Sequence, residues 1–168
     1  MKKILLILLI TQIALLGNGS DGGRITQLND SPSKQEAEEI LGQPIKVNIH
    51  KTETNDDVIN KRITYAGLQN EPKTNRAVNL SYSLKKYKNA ALAKNAYATI
   101  IKNNVNMAGQ TSINGMGDEA NYHTDGENFS LLMVVKGECL LLMKVNKMTN
   151  KFSKTALEKA VKRIILTL

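Results

Sequence analysis

The chain has 168 residues, 42% of them hydrophobic and 23% charged, close to ordinary soluble domains and far from the extremes that mark disordered chains or membrane bundles. Its formal charge is +8, yet with two Phe, five Tyr and no Trp it offers few rings on which bases would stack, so nucleic acid is not an expected partner. A lone cysteine, Cys139, excludes an internal disulfide framework.

Lys2 and Lys3 precede an apolar run, Ile4 to Leu16, broken only by Thr11 and Gln12 and followed by Gly17-Asn18-Gly19-Ser20. A basic start, an oily middle and a small-residue exit are the signature of a secretory signal. A membrane-crossing helix needs roughly twenty apolar residues, and this run has thirteen. Residues 1–19 are therefore read as a cleaved signal, and the protein is expected to be exported, periplasmic or extracellular, with no stable membrane anchor afterwards. Ala14-Leu15-Leu16-Gly17 resembles a lipoprotein lipobox, but Asn18 stands where the lipid-bearing cysteine would be. Losing Lys2 and Lys3 with the signal brings the charge from +8 to +6.

Residues 20–32, rich in Gly, Asp, Asn and Ser, read as a flexible leader, and residues 33–168 as one domain. Ser33 and Glu36 have capping-box spacing before Ala37, Ile40 and Leu41, with Gly42 and Pro44 as the stop, which predicts a short helix. Ile45, Val47 and Ile49 alternate with polar residues and predict a half-buried strand. A second strand is predicted over Ile59 to Leu68, ending at Asn70-Glu71-Pro72-Lys73. In a third, Val78, Leu80, Tyr82 and Leu84 face one way and Asn79, Ser81, Ser83 and Lys85 the other. Asn89 to Val105 has a helical stripe of Leu92, Ala93, Ala96, Tyr97, Ile100 and Ile101 with Asn89 as cap.

Asn106 to Gly117 is read as irregular. Three further strands are predicted around Ala120 to His123, Phe129 to Val135 and Cys139 to Val145, with turns at Thr124-Asp125-Gly126-Glu127 and Lys136-Gly137. The last two are apolar at both parities, which predicts cover on both faces and a central place in the sheet. Leu157, Ala160, Val161, Ile164 and Ile165 mark a final helix. The order α-βββ-α-βββ-α, with short hairpins, predicts an α+β domain: a mostly antiparallel sheet of about six strands with packed helices.

Motif chemistry is sparse. The chain has no G-x-S-x-G elbow, no H-E-x-x-H helix and no G-x-x-x-x-G-K-[ST] phosphate loop. Two histidines, His50 and His123, cannot form a three-histidine site, and a set of His123, Asp125 and Glu127 is broken by the Asp125-Gly126 turn, so no metal, no cofactor and no catalytic residue is assigned. Cys139, within Cys139-Leu140-Leu141-Leu142-Met143, reads as a buried hydrophobe. Gly115-Met116-Gly117-Asp118-Glu119-Ala120 pairs two glycines with two carboxylates at a strand start. Asp118, Glu119, Tyr122 and His123 are the candidate ligand or partner contacts, set against a plain structural turn.

Ile40-Leu41-Gly42-Gln43-Pro44, Ala96-Tyr97-Ala98, Gly115-Met116-Gly117-Asp118-Glu119-Ala120-Asn121-Tyr122-His123 and the Gly137 hairpin with Lys144-Val145, taken in order, resemble bacterial exported and lipoprotein-like domains of unassigned activity. In outline these are similar to PsbP/Mog1-like α/β sandwiches. The resemblance implies a central antiparallel sheet and a binding or assembly role, and carries over no functional residue. The expected function is an exported, non-catalytic binding or envelope-associated module whose partner is a protein, an envelope polymer or a small ligand. The alternative is a small extracytoplasmic hydrolase or transferase using His50 or His123 as a base.

Overall fold

Ser33 and Glu36 set where the first described helix begins. In a computed structural model that describes residues 30–55, 57–104 and 107–168, Ser33 Oγ accepts from the Glu36 amide at 3.1 Å and Glu36 Oε2 accepts from the Ser33 amide at 2.8 Å. This reciprocal cap starts α1 (Lys34–Leu41), which stops at Gly42 in the left-handed region, φ 65°. The chain then runs through β1 (Ile45–Thr54), β2 (Val58–Glu71), β3 (Arg76–Tyr87), α2 (Ala90–Asn103), β4 (Gln110–Ile113), β5 (Glu119–Thr124), β6 (Phe129–Lys136), β7 (Cys139–Asn146) and α3 (Lys154–Leu166). The signal expected over 1–19 lies outside the described residues. Of the leader expected over 20–32, Asp30 to Pro32 are described, and they are tied down: the Tyr82 and Tyr65 hydroxyls donate to the carbonyls of Asp30 (2.6 Å) and Pro32 (2.5 Å).

One antiparallel sheet takes the strands in the order β1-β2-β3-β7-β6-β5-β4. The molecule is α+β, with seven strands where the sequence predicts about six. The additional strand is β4, whose Gln110, Thr111 and Ser112 carry no apolar alternation. It is held by pairing with β5, from Gln110 opposite His123 to Ile113 opposite Ala120. Two meanders, β1–β3 and β4–β7, meet along the β3–β7 seam, where Leu80 faces Val145 and Leu84 faces Leu141.

The doubly apolar strands lie at the centre as their composition predicts. Leu132, Val134, Leu141 and Met143 enter the larger core beneath α1 and α3, while Met133, Val135 and Leu140 enter a smaller one with Ala93 and Tyr97 of α2. Period-two alternation on both strands thus feeds two cores at once. α2 packs on β6, β7 and β3, and among the described residues no helix covers β1 and β2 on its side of the sheet. On the other side the Arg163 guanidinium of α3 grips Glu36 of α1, with Nε to Oε1 at 2.7 Å and Nη2 to Oε2 at 3.0 Å. Burial raises the Glu36 carboxyl, but the bonds from Arg163 and Ser33 outweigh it and hold it below its usual value.

One predicted face is corrected. Ile45 is buried, but Val47 and Ile49 are 55% and 53% exposed. β1 is an edge strand, and a bulge at Asn48 shifts the register, so that Val47 lies opposite Tyr65 and Ile49 opposite Thr64. The extra residue turns Ile49 onto the face away from α1.

Candidate functional site

Strand order brings three chain connections to one end of the sheet: the β2–β3 turn, the β5–β6 turn and the segment from β7 into α3. Between them lies an open groove of about 680 Å³, within the size range of ligand pockets. Its apolar floor is Pro72, Met148 and Phe152; Met148 and Phe152 are half-buried and rest on the larger core. Glu71, Lys73, Glu127, Asn128, Lys147 and Asn150 stand among its walls.

Each wall is held by its own side-chain chemistry. Glu71 accepts from the amides of Lys73 (2.9 Å) and Thr74 (2.7 Å) and from Thr74 Oγ1 (2.7 Å). The turn then closes through Asn75 at φ 51°. Those bonds, led by the Lys73 amide, hold the Glu71 carboxyl below its usual value. Across the groove Asp125 Oδ1 accepts from the amides of Glu127 (3.1 Å), Asn128 (2.7 Å) and Phe129 (3.1 Å), and Oδ2 accepts from Asn128 Nδ2 at 2.9 Å. The Asn128 carbonyl in turn accepts from the amides of Lys147 (2.7 Å) and Met148 (3.3 Å). Lys147 sits at φ 59°, a conformation costly for a residue with a Cβ, and this carbonyl pins it there. The walls are preformed, and with two Glu against two Lys their charge is balanced.

The Asp125 network predicts an acid-dependent stability term. Desolvation raises this carboxyl, but the bonds from Asn128, Phe129 and Glu127 outweigh it and depress its pKa far below the ordinary range. A depressed carboxylate stabilises the fold above the unfolded pKa of about 3.9, and the contribution fades as pH falls through the folded value. Asp125→Asn is therefore expected to cost about 1 kcal/mol at pH 7, a value kept small because the turn is exposed. In urea titrations the gap from the parent should narrow steadily from pH 5 to pH 2. A gap that stays constant over that range would contradict the assignment.

The residues singled out from sequence are placed elsewhere and do not share one surface. Asp118 Oδ2 accepts from the Gly137 amide at 2.8 Å, and the Asp118 amide donates to the Val135 carbonyl at 2.8 Å, so Asp118 ties the β4–β5 loop to the β6–β7 turn at the opposite end of the sheet. Glu119 is exposed at the start of β5. The neighbouring Tyr97 hydroxyl is pushed up chiefly by burial and further by the Glu119 charge. Tyr122 turns toward α3, accepts from Ser130 Oγ at 2.9 Å, and has Lys154 Nζ 4.2 Å from its ring centroid. His123, next along the strand, projects from the other face, is buried, and meets Phe129 edge-on at 4.9 Å. Alternation separates these two rings by construction. The cavity beside this loop is about 210 Å³, small for an organic ligand.

For the catalytic alternative, His50 is exposed on the edge strand β1, and its side chain has no hydrogen bond or ion pair among the described residues. Cys139 is buried; desolvation raises its thiol against the pull of Lys86, the direction that disfavours a thiolate nucleophile. Among the described residues no group of three or more His, Cys, Asp or Glu side chains is placed to hold a metal ion.

The groove escapes a sequence reading because its residues come from three stretches centred on residues 72, 127 and 149. Two of them, Asn70-Glu71-Pro72-Lys73 and Thr124-Asp125-Gly126-Glu127, are legible as turns, but only the strand order shows that they face each other. No protein-family model matches the chain, and no curated protein matches it in sequence.

Proposed function

We propose that the protein is an exported, non-catalytic binding module that grips a short, uncharged or zwitterionic segment of a protein, polymer or small ligand in the groove between the β2–β3 turn, the β5–β6 turn and the β7–α3 segment. The observation that carries the reading is the groove's construction: an apolar floor of Pro72, Met148 and Phe152 inside walls fixed by Glu71 and Asp125. Such a site loses little entropy on binding, because its walls are already ordered. Charge balance along the walls favours a segment without a large net charge. Export is supported by Lys2, Lys3 and the apolar run that follows. The non-catalytic part is supported by the positions of His50, His123 and Cys139, none of which is paired among the described residues as a base and nucleophile require.

Glu127 and Asn150 are exposed residues of the groove, so Glu127→Arg with Asn150→Arg crowds and charges it while leaving the core intact. On an array of neutral oligosaccharides and short peptides, ligands held by the parent protein are expected to bind the double variant about tenfold more weakly or worse, a loss of about 1.4 kcal/mol. Unchanged retention of every ligand would remove the groove as the site.

A further inference from the structure

The half of the sheet that no described helix covers on the α2 side carries a strongly basic surface. Residues directly opposite one another in an antiparallel pair project from the same face, and the register therefore lays out four rows. They are Glu53-Asn60-Lys85, Lys51-Arg62-Ser83, Ile49-Thr64-Ser81-Lys144 and Lys46-Ala66-Asn79-Asn146. In these rows five side chains are cationic and Glu53 is the single carboxylate. Lys46, Lys51, Arg62 and Lys144 are exposed and Lys85 is half-buried. The Asn48 bulge is what gathers them. Lys46 and Lys51 are five positions apart and would face opposite ways on a regular strand, and the extra residue brings both onto this side.

The cations are not equivalent. Arg62 Nη2 and Lys51 Nζ hold the two oxygens of Glu53 at 2.6 and 2.5 Å. Lys46, Lys85 and Lys144 have no carboxylate partner among the described residues, and Lys144 Nζ stands 5.2 Å from the centroid of the Phe129 ring. Between them lie the hydroxyls of Thr64, Ser81 and Ser83 and the amides of Asn60 and Asn79. Asn79 Oδ1 is buried without a hydrogen-bond partner among the described residues.

From these features we infer that this shelf docks a linear, hydroxyl-bearing polymer charged by phosphodiester groups. The surplus of cations supplies complementary charge, and the hydroxyl and amide floor supplies partners for the hydroxyls of the polymer. α2, with the roughly 10 Å thickness of any α-helix, forms a wall along one side and holds a flat bilayer away from the floor, while an extended chain lies beside it. The unpartnered cations are lysines, which suit phosphate as point charges, and the one guanidinium fork is already engaged by a carboxylate, which disfavours carboxylate polymers. Aromatic side chains stand at the margins of these rows, Phe129 opposite Asn146 and Tyr87 two residues from Lys85, both half-buried, so the floor offers no run of rings for successive bases, which disfavours single-stranded nucleic acid. This surface is distinct from the groove, and neither proposal depends on the other.

The test uses end-labelled poly(glycerol phosphate) and fluorescence anisotropy at low and moderate salt. The triple variant Lys46→Gln, Lys85→Gln, Lys144→Gln breaks no ion pair to a described residue, gives up the exposed contact of Lys144 with the Phe129 ring and should melt within a few degrees of the parent. It is expected to bind about tenfold more weakly, with a slope of log affinity against log salt flatter by about 2, as loss of three phosphate contacts requires. Lys159→Gln with Lys162→Gln on α3 should leave the affinity unchanged. The inference is overturned if the triple variant binds like the parent, if the α3 variant loses as much affinity, or if polyglutamate or an unstructured single-stranded oligonucleotide binds as tightly as the polyol phosphate.

Discussion

Leu141→Ala is expected to lower the unfolding free energy by about 3 kcal/mol and the melting temperature by about 10 °C, because it opens a cavity at the packed centre of the sheet. Leu141 stands on β7, pairs with Leu84 across the seam that joins the two meanders and with Val134 on β6, and is fully buried. It belongs to the larger core, which the buried faces of α1 and α3 share with the sheet, so the space it vacates lies inside packed structure. Leu68, apolar but 61% exposed on β2, is the matched control: Leu68→Ala should move stability by about 0.5 kcal/mol or less. Chemical denaturation of both variants reads the comparison directly. A loss under about 1 kcal/mol at Leu141 would mean that the seam is not the packed centre of the molecule.

The second large effect distinguishes two glycines three residues or fewer from Asp118. Gly115 and Gly117 both adopt positive φ, 72° and 69°. A Cβ at Gly117 would lie 2.5 Å from Val134 Cγ1 and 2.7 Å from the Val135 carbonyl oxygen, whereas a Cβ at Gly115 meets nothing within 4 Å. Gly117→Ala therefore combines backbone strain with a collision against the central strands and is expected to cost about 2–4 kcal/mol. Gly115→Ala incurs the backbone term alone, about 1 kcal/mol. Thermal melts of the pair decide between a loop shaped by packing and one kept open for a ligand. Equal, mild losses at both positions would remove the packing explanation for Gly117.

Much of the fold is legible in the residues because the local rules agree with one another. The alternation of Val78, Leu80, Tyr82 and Leu84, the double apolarity of Leu131 to Val135, and the i, i+3, i+4 stripe of α3 each name an element and the face it buries. Where local pattern and structure part, a non-local term decides. β4 is made a strand by pairing with β5, and its Gln110, Thr111 and Ser112 give no period to detect. Asn48 inserts a bulge that no composition signals, and it moves Ile49 out of the core while gathering Lys46 and Lys51 on one face. The Gly115–Glu119 segment attracts notice because glycines and carboxylates are also the parts of ligand loops, yet here Met116 is buried in the larger core and Asp118 caps a neighbouring turn. The groove is composed of turns that are individually recognisable, and their convergence depends on strand order alone.

Two methionines report on the two ends of the sheet. Met148 lies on the floor of the groove, and Met116 lies buried beneath the Gly115–Glu119 loop. With methionine ε-methyl groups labelled with carbon-13, a titration with the neutral peptides and oligosaccharides retained by the parent protein places the binding site directly. A groove that binds these ligands predicts a saturable shift of the Met148 methyl signal with Met116 unmoved. A shift at Met116 with Met148 silent would contradict it and return the site to the loop containing Asp118 and Glu119.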